Sequence, residues 1–599
     1  MDFRAITSSM GIPAAGFLRR EDFGKDFFFG SATSAFQIEG ASDKDGRGKS
    51  IWDDYADDEK RHGKSLFHPY GEDAVCHYKH YEKDVEIMKK IGFNAYRFSI
   101  SWSRILPTGR AGCINQKGID FYKKLLNKLK VKEIEPFVTL LHFDVPQALE
   151  DEYRGFLDRR IADDFRDYAD ICFREFGSQV KYWITINETW SFTYGAYVKD
   201  SLAPGLGLVE DQFTVYKKAI TNIDGSISHL EKENDADSFL FLPCRYSRPT
   251  SILKKSIENP IPICSQKEDP YKFAYIVAHN QLLAHGKAAK LYKDNYQRVQ
   301  NGKIGITLVT HWFEPYDCDS QKDKDAAKRA LDFSLGWFMH PMIYGEYPKT
   351  MRTYVKEGHL PVDDLEADKS IIQNSCDFIG LNYYTAIYVS HRKRKDRDGK
   401  KPESNYVTDQ KVKHHVKDSK GKSIGKQQGA AGWIYRYPKG IMDLLLHVKR
   451  EYNNPLIYIT ENGVDDPDDH SAKLWDSIYD HQRVSFLHDH LSFVKEAKRQ
   501  HVNVQGYFVW SLLDNFEWKR GFTSRFGITY VDYDSEKQER HPKLSAAWLK
   551  SLLENQGCRA LDLKEFTHGH QFSQNMGRSA AIANATTGAL RANLMRLNN

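Results

Sequence analysis

Apolar residues along this chain fall into two alternating patterns. In the first, apolar and β-branched residues run without polar alternation, as in Trp183-Ile184-Thr185-Ile186-Asn187. Such a run reads as a short strand covered on both faces, because a strand with no wet side needs no polar positions. Similar runs fall at Phe27–Gly30, Asn94–Ile100, Glu135–His142, Lys303–Val309, Phe378–Tyr384, Leu456–Glu461 and Val504–Trp510. In the second pattern apolar residues recur with helical spacing, as in Tyr81–Ile91, Phe121–Lys132 and Ile161–Phe176. Strand followed by helix, eight times over, predicts the α/β class: a single (β/α)8 TIM barrel with long βα-loop insertions.

In such a barrel the chemistry sits at the C-terminal strand ends. Here those ends carry Gln37, Arg97, His142, Asn187, Glu188, Tyr384, Glu461, Trp510 and, just beyond, Glu517. Two buried runs end in a carboxylate beside an asparagine, at Asn187-Glu188 and at Glu461-Asn462. A carboxylate at the end of a buried strand is costly without partners or a task. Taken singly, each is most simply a salt-bridge partner, and His142, Trp433 and Trp510 are ordinary core side chains. Two such carboxylates, brought together by one barrel, instead suit paired acid and nucleophile chemistry.

Composition narrows the classes. The chain has 599 residues, 41% hydrophobic and 13% aromatic, enough for one large core. A net charge of +5 against 86 basic and 81 acidic residues gives no global signal for nucleic acid. Eight scattered cysteines lack CxxC spacing, so neither a zinc site nor a disulfide framework is expected. No apolar run is long enough to span a membrane. Arg4, Ser8, Ser9 and Pro13 interrupt the N-terminal segment, so no secretion signal is expected. This points to the cytoplasm or the nucleus, and the basic run Arg392-Lys393-Arg394-Lys395 reads as a solvated loop or a nuclear signal. The expected division is an N-terminal extension over 1–19, a catalytic domain over 20–555 and a flexible tail over 556–599. Polar insertions are expected at 232–268 and 391–428.

Seven motifs in order resemble the plant β-glucosidases of glycoside hydrolase family 1, over roughly residues 20–552. They are Phe36–Gly40, Tyr96–Trp102, His142–Gln147, Asn187-Glu188, Ile379–Thr385, Thr460–Gly463 and Trp510–Trp518. The resemblance implies a retaining β-glucosidase, with Glu461 as nucleophile and Glu188 as general acid/base, supported by Arg97 and Tyr384. It further implies that Gln37, His142, Asn187, Glu517 and Trp518 hold the sugar hydroxyls, that Trp510 lies under the ring, and that Trp433 walls the aglycone. No metal or cofactor is implied, and the partner is a small-molecule β-glucoside, with a homo-oligomer as a further expectation. Thioglucoside-cleaving members have Gln at the acid's position, so Glu188 indicates O-glycosides, and Glu517-Trp518 indicates an unphosphorylated sugar. Members without signal peptides resemble enzymes of secoiridoid, iridoid or alkaloid glucosides. A transglucosidase using the same pair, and a non-hydrolytic carbohydrate-binding barrel, remain as alternatives. Phe143 stands where the family has Trp, and Thr189 where it has Pro, and both bear on the sites beside them.

Overall fold

The computed structural model describes residues 18–61, 63–67, 70–207, 269–392, 405–554, 590 and 592–598. Eight parallel strands close into a barrel in chain order: β1 (Phe28–Ala32), β2 (Ala95–Ser99), β3 (Glu135–Leu141), β4 (Tyr182–Asn187), β5 (Lys303–Val309), β6 (Phe378–Asn382), β7 (Ile457–Asn462) and β8 (Val504–Trp510). β1 pairs with both β2 and β8, which removes every sheet edge. Helices α1 (His77–Ile91), α2 (Gln116–Val131), α3 (Ile161–Phe176), α4 (Phe273–Asn295), α5 (Val362–Ile372), α6 (Lys439–Glu451), α7 (His481–Arg499) and α8 (Leu544–Leu553) complete the alternation. The (β/α)8 architecture read from the sequence is the one found.

Rings from neighbouring and from distant strands meet inside the barrel. Phe137 of β3 stacks on Tyr182 at 4.2 Å and meets Tyr458 of β7 at 5.0 Å and Phe508 of β8 at 4.8 Å. Phe28 and Phe378 extend this layer. Small residues make room for it. A Cβ on Gly506 would stand 2.8 Å from the Tyr458 ring, and one on Gly305 2.8 Å from the Phe378 ring. Toward the strand ends the interior turns polar, with Arg97, Asn187, Asn382, Thr460 and Glu461 all buried.

The structure departs from the sequence expectation in three places. β6 stops at Asn382, so Tyr384 projects from the loop beyond it. The basic 391–428 loop is partly regular. Val412–His415 joins Ala386–His391 antiparallel, and Lys426–Gln428 pairs with Ile434–Arg436. Val412, Ile424 and Ile434 are the buried anchors that its basic composition masks. The tail's last residues, 592–598, form a helix, because Leu590, Leu594 and Leu597 recur on one face and are buried. Asn593 Nδ2 donates to Ser551 Oγ of α8 at 3.0 Å. Residues 1–17, 232–268, Lys393–Lys395 of the basic run and 555–589 lie outside the described residues. Among the described residues no helix is long and apolar enough to cross a membrane.

Because Phe137 touches four other rings at the barrel's centre, Phe137→Ala is expected to cost about 3–5 kcal/mol of stability. A lowered thermal midpoint in a calorimetric scan checks this; an unchanged midpoint contradicts the central role of the aromatic layer.

Candidate active site

Arg97 enters the barrel from β2 with its side chain fully buried. Its Nη1 donates to Glu461 Oε1 and its Nη2 to Asn187 Oδ1, the latter at 2.6 Å. Tyr384 OH donates to Glu461 Oε2 at 2.8 Å. Both oxygens of Glu461 are thus met by donors, one of them cationic, which stabilises the carboxylate. Asn187 passes the chain on: its Nδ2 donates to His142 Nε2 at 3.1 Å, which leaves the ring proton of His142 on Nδ1. Burial, and then the Arg97 charge, hold the His142 pKa well below the usual imidazole range, so the ring is neutral.

Glu188 follows β4 and caps the helix Thr189–Tyr197 with a left-handed backbone, φ 44° and ψ 60°. For a residue with a Cβ that conformation carries about 1–3 kcal/mol of strain. Phe143 (φ 71°) and Trp518 (φ 51°) also have positive φ, so three residues around the cleft sit in backbone that side chains rarely adopt. Glu188 lines the cleft, and its pKa is pushed up to about 7, first by removal from water and then by the charge of Glu461. Asn382 Nδ2, donating to Glu188 Oε1 at 2.7 Å, and Ser191 act in the opposite direction. The hydroxyl of Thr189 is buried with no hydrogen-bond partner among the described residues.

A cleft opens here, lined by Glu188, Glu461, His142, Asn187, Tyr384, Trp433, Trp510, Glu517 and Trp518. His142 lies parallel to Trp510 at 5.7 Å and to Trp518 at 6.0 Å, which forms an aromatic floor. Phe143 packs on Trp518 and Phe192, so it serves as apolar wall. Trp433 crosses Tyr384 edge-on at 5.5 Å. Gln37 and Arg97 stand behind the lining. Gln37 Nε2 donates to Phe516 O at 2.7 Å and Asn515 Oδ1 at 2.9 Å and reaches Glu517 Oε2 at 3.4 Å. Burial, then the charges of Asp465 and Glu461, hold the Glu517 pKa well above the usual carboxylate range.

Sequence reasoning missed Asn382, whose Oδ1 accepts from Thr460 Oγ1 at 2.7 Å while its amide holds Glu188. Its signal was present: like Asn187, it ends a buried strand. It also missed Trp190, Ser191, His311 and Phe526 of the cleft wall, which lie on loops and a short helix without periodic pattern. Removing Asn382's amide is expected to raise the Glu188 pKa above its value of about 7, since that donor favours the carboxylate. An infrared titration of the carboxyl stretch in Asn382→Ala checks this, and a fall would contradict the assignment.

Comparison with known proteins agrees with this geometry. The sequence profile of "Glycosyl hydrolase family 1" matches residues 19–236 and 262–558. Beta-glucosidase 24 of Oryza sativa subsp. japonica is 46% identical over 551 residues, covering 92% of this chain and 97% of the relative. Raucaffricine-O-beta-D-glucosidase of Rauvolfia serpentina is 44% identical over 533 residues, covering 89% and 91%. A rice β-glucosidase mutant, solved in a covalent complex with Glc, superposes with a TM-score of 0.74 at 38% identity, covering 89% of this chain and 99% of its own. With its closed barrel, its two glutamates in one cleft and a family profile spanning both, the chain belongs to glycosyl hydrolase family 1 and is a glycosidase.

Proposed function

We propose that the protein is a retaining β-glucosidase that hydrolyses the O-β-D-glucosidic bond of a plant specialised-metabolite glucoside. The observation that carries this reading is the opposite treatment of two carboxyls in one cleft. Glu461 accepts from Arg97 and Tyr384, whereas Glu188 is pushed up to about 7 by burial and by Glu461 itself. One is suited to attack and the other to give up a proton near neutrality.

In the first step a Glu461 oxygen bonds to the anomeric carbon. The glycosidic C–O bond breaks, and the proton of Glu188 goes to the leaving oxygen. The glucosyl ester of Glu461 carries no charge, so one of the two causes that raise Glu188 disappears. Glu188 then takes a proton from water, whose oxygen attacks the same carbon and restores the Glu461 carboxylate. Two inversions give net retention. The sugar is held by His142, Asn187, Glu517 and Trp518 over Trp510, with Gln37 bracing Glu517. Asn187 is tied to Arg97, so a hydroxyl bonded to it sits in register with the nucleophile. Trp433 faces the aglycone. The sequence resemblance points to a secoiridoid, iridoid or alkaloid glucoside, and the relative named for raucaffricine supports that class.

Glu188 must be protonated in the first step, so kcat/KM for a nitrophenyl β-glucoside should be retained below pH about 7 and fall as pH rises through it. A basic limb that stays level past pH 9 removes Glu188 as the acid. Glu461→Ala should lower kcat by at least about 10³-fold. Glu188→Ala should lose about 10²–10⁴-fold, and added azide should restore turnover with β-glucosyl azide as product. Full activity in Glu461→Ala, or α-glucosyl azide from Glu188→Ala, contradicts the scheme.

A further inference from the structure

Trp433 sits at the turn of a hairpin whose two strands, Lys426–Gln428 and Ile434–Arg436, are three residues each. A two-stranded hairpin that short does not hold its own shape in water. The position of the Trp433 ring must therefore be fixed from outside, and two side chains reach the turn from opposite ends of the chemistry.

Asp465, three residues beyond β7, is buried, and its Oδ2 accepts from Ala431 N at 2.8 Å and from Ser524 Oγ. Asp466-Pro467 pairs antiparallel with Ser524-Arg525, so Asp465 stands on a small sheet. That sheet is itself anchored, because Arg525 is bound by Asp468 and by the buried Asp514. On the other flank Arg520 Nη2 donates to Ala431 O at 2.7 Å, and its Nη1 to Ala430 O at 3.3 Å. Arg520 belongs to the loop that carries Glu517 and Trp518, and its own N–H donates to Glu517 O at 2.9 Å. The turn presses closely on the carboxylate. Gly429 has φ +80°, and a Cβ there would stand 1.9 Å from Asp465 Oδ1. Only glycine fits that contact.

We propose that Asp465 and Arg520 are positioning residues that set aglycone specificity, clasping the Trp433 turn at a fixed place relative to the glucose end of the cleft. This rests on the reading of Trp433 as the aglycone wall. Neither residue touches substrate. Asp465 takes the turn's amide, Arg520 takes its carbonyls, and the loop that carries Arg520 also holds the sugar. The wall is thereby referenced to the sugar, and an aglycone is accepted according to how its ring lies on Trp433 once glucose is seated. Releasing either side lets the ring drift while the catalytic pair stays in place.

The test compares kcat/KM for 4-nitrophenyl β-glucoside, whose aglycone is a ring, with that for β-glucosyl fluoride, whose leaving group offers nothing to stack. Trp433→Ala should lower the nitrophenyl-to-fluoride ratio about fivefold, the scale of one aromatic contact. Asp465→Ala and Arg520→Ala should each reproduce that fall in the ratio, any effect of the lost charge on Glu517 being shared by both substrates, and should add nothing to it in the Trp433→Ala background. Asp465→Asn keeps an acceptor for Ala431 N and should stay near the parent ratio. Gly429→Ala strikes the same contact from the turn's side and carries the test if Asp465→Ala does not fold. Equal losses on both substrates, unchanged ratios, or full additivity with Trp433→Ala overturn the clasp and leave the aglycone wall standing. An unchanged ratio in Trp433→Ala itself shows instead that the wall reading is wrong, and the clasp falls with it.

Discussion

Arg97 crosses the polar upper part of the barrel with no exposed surface, and its guanidinium meets both the carboxylate of Glu461 and the amide oxygen of Asn187. Breaking a buried pair by deleting one partner costs about 3–5 kcal/mol, because the other charge is left uncompensated. Much of the site hangs on this one contact. It ties β2 to β7 across the barrel interior, and through Asn187 it fixes the amide that holds His142. The positive charge also helps keep His142 neutral. A buried cation bonded through its two terminal nitrogens to Glu461 and Asn187 is the constraint around which the polar residues are arranged.

Glu188 shows the same physics with the opposite sign. Among the described residues no cation pairs with it directly, and Asn382, Ser191 and the more distant charge of Arg97 favour its charged form. Burial and the nearby Glu461 outweigh them. The strained backbone at Glu188 is a further cost, consistent with a residue placed for reactivity rather than stability. The clasp at Asp465 extends this pattern outward: a buried carboxylate tied to backbone and hydroxyl donors, here serving geometry rather than reaction.

The eight strands were legible because each is a buried run bounded by polar or small residues. The two glutamates stood out because a charge ending such a run is rare. Asn382 carried the same signal in weaker form. What the chain did not reveal follows from geometry. Nothing in Glu188-Thr189 announces a left-handed turn, since αL in a non-glycine residue is imposed by tertiary contacts. Gln37, expected to hold a sugar hydroxyl, is fixed by Asn515 and Phe516, more than 470 residues downstream, and that long-range support is not written in its local sequence. The Trp433 hairpin and the leucine face at the end of the chain were hidden by basic and low-complexity composition, which averages over the few buried anchors that order them.

In the proposed reaction the carboxylate paired with Arg97 forms the bond to the sugar. Incubation with 2-deoxy-2-fluoro-β-glucosyl fluoride, followed by peptide mass mapping, tests this most directly, because the fluorine slows release more than attack. The peptide containing Glu461 is expected to gain the mass of one fluoroglucosyl group, with fragmentation placing it on that side chain. An adduct on Glu188 or on any other residue, or inactivation with no adduct, would contradict the account.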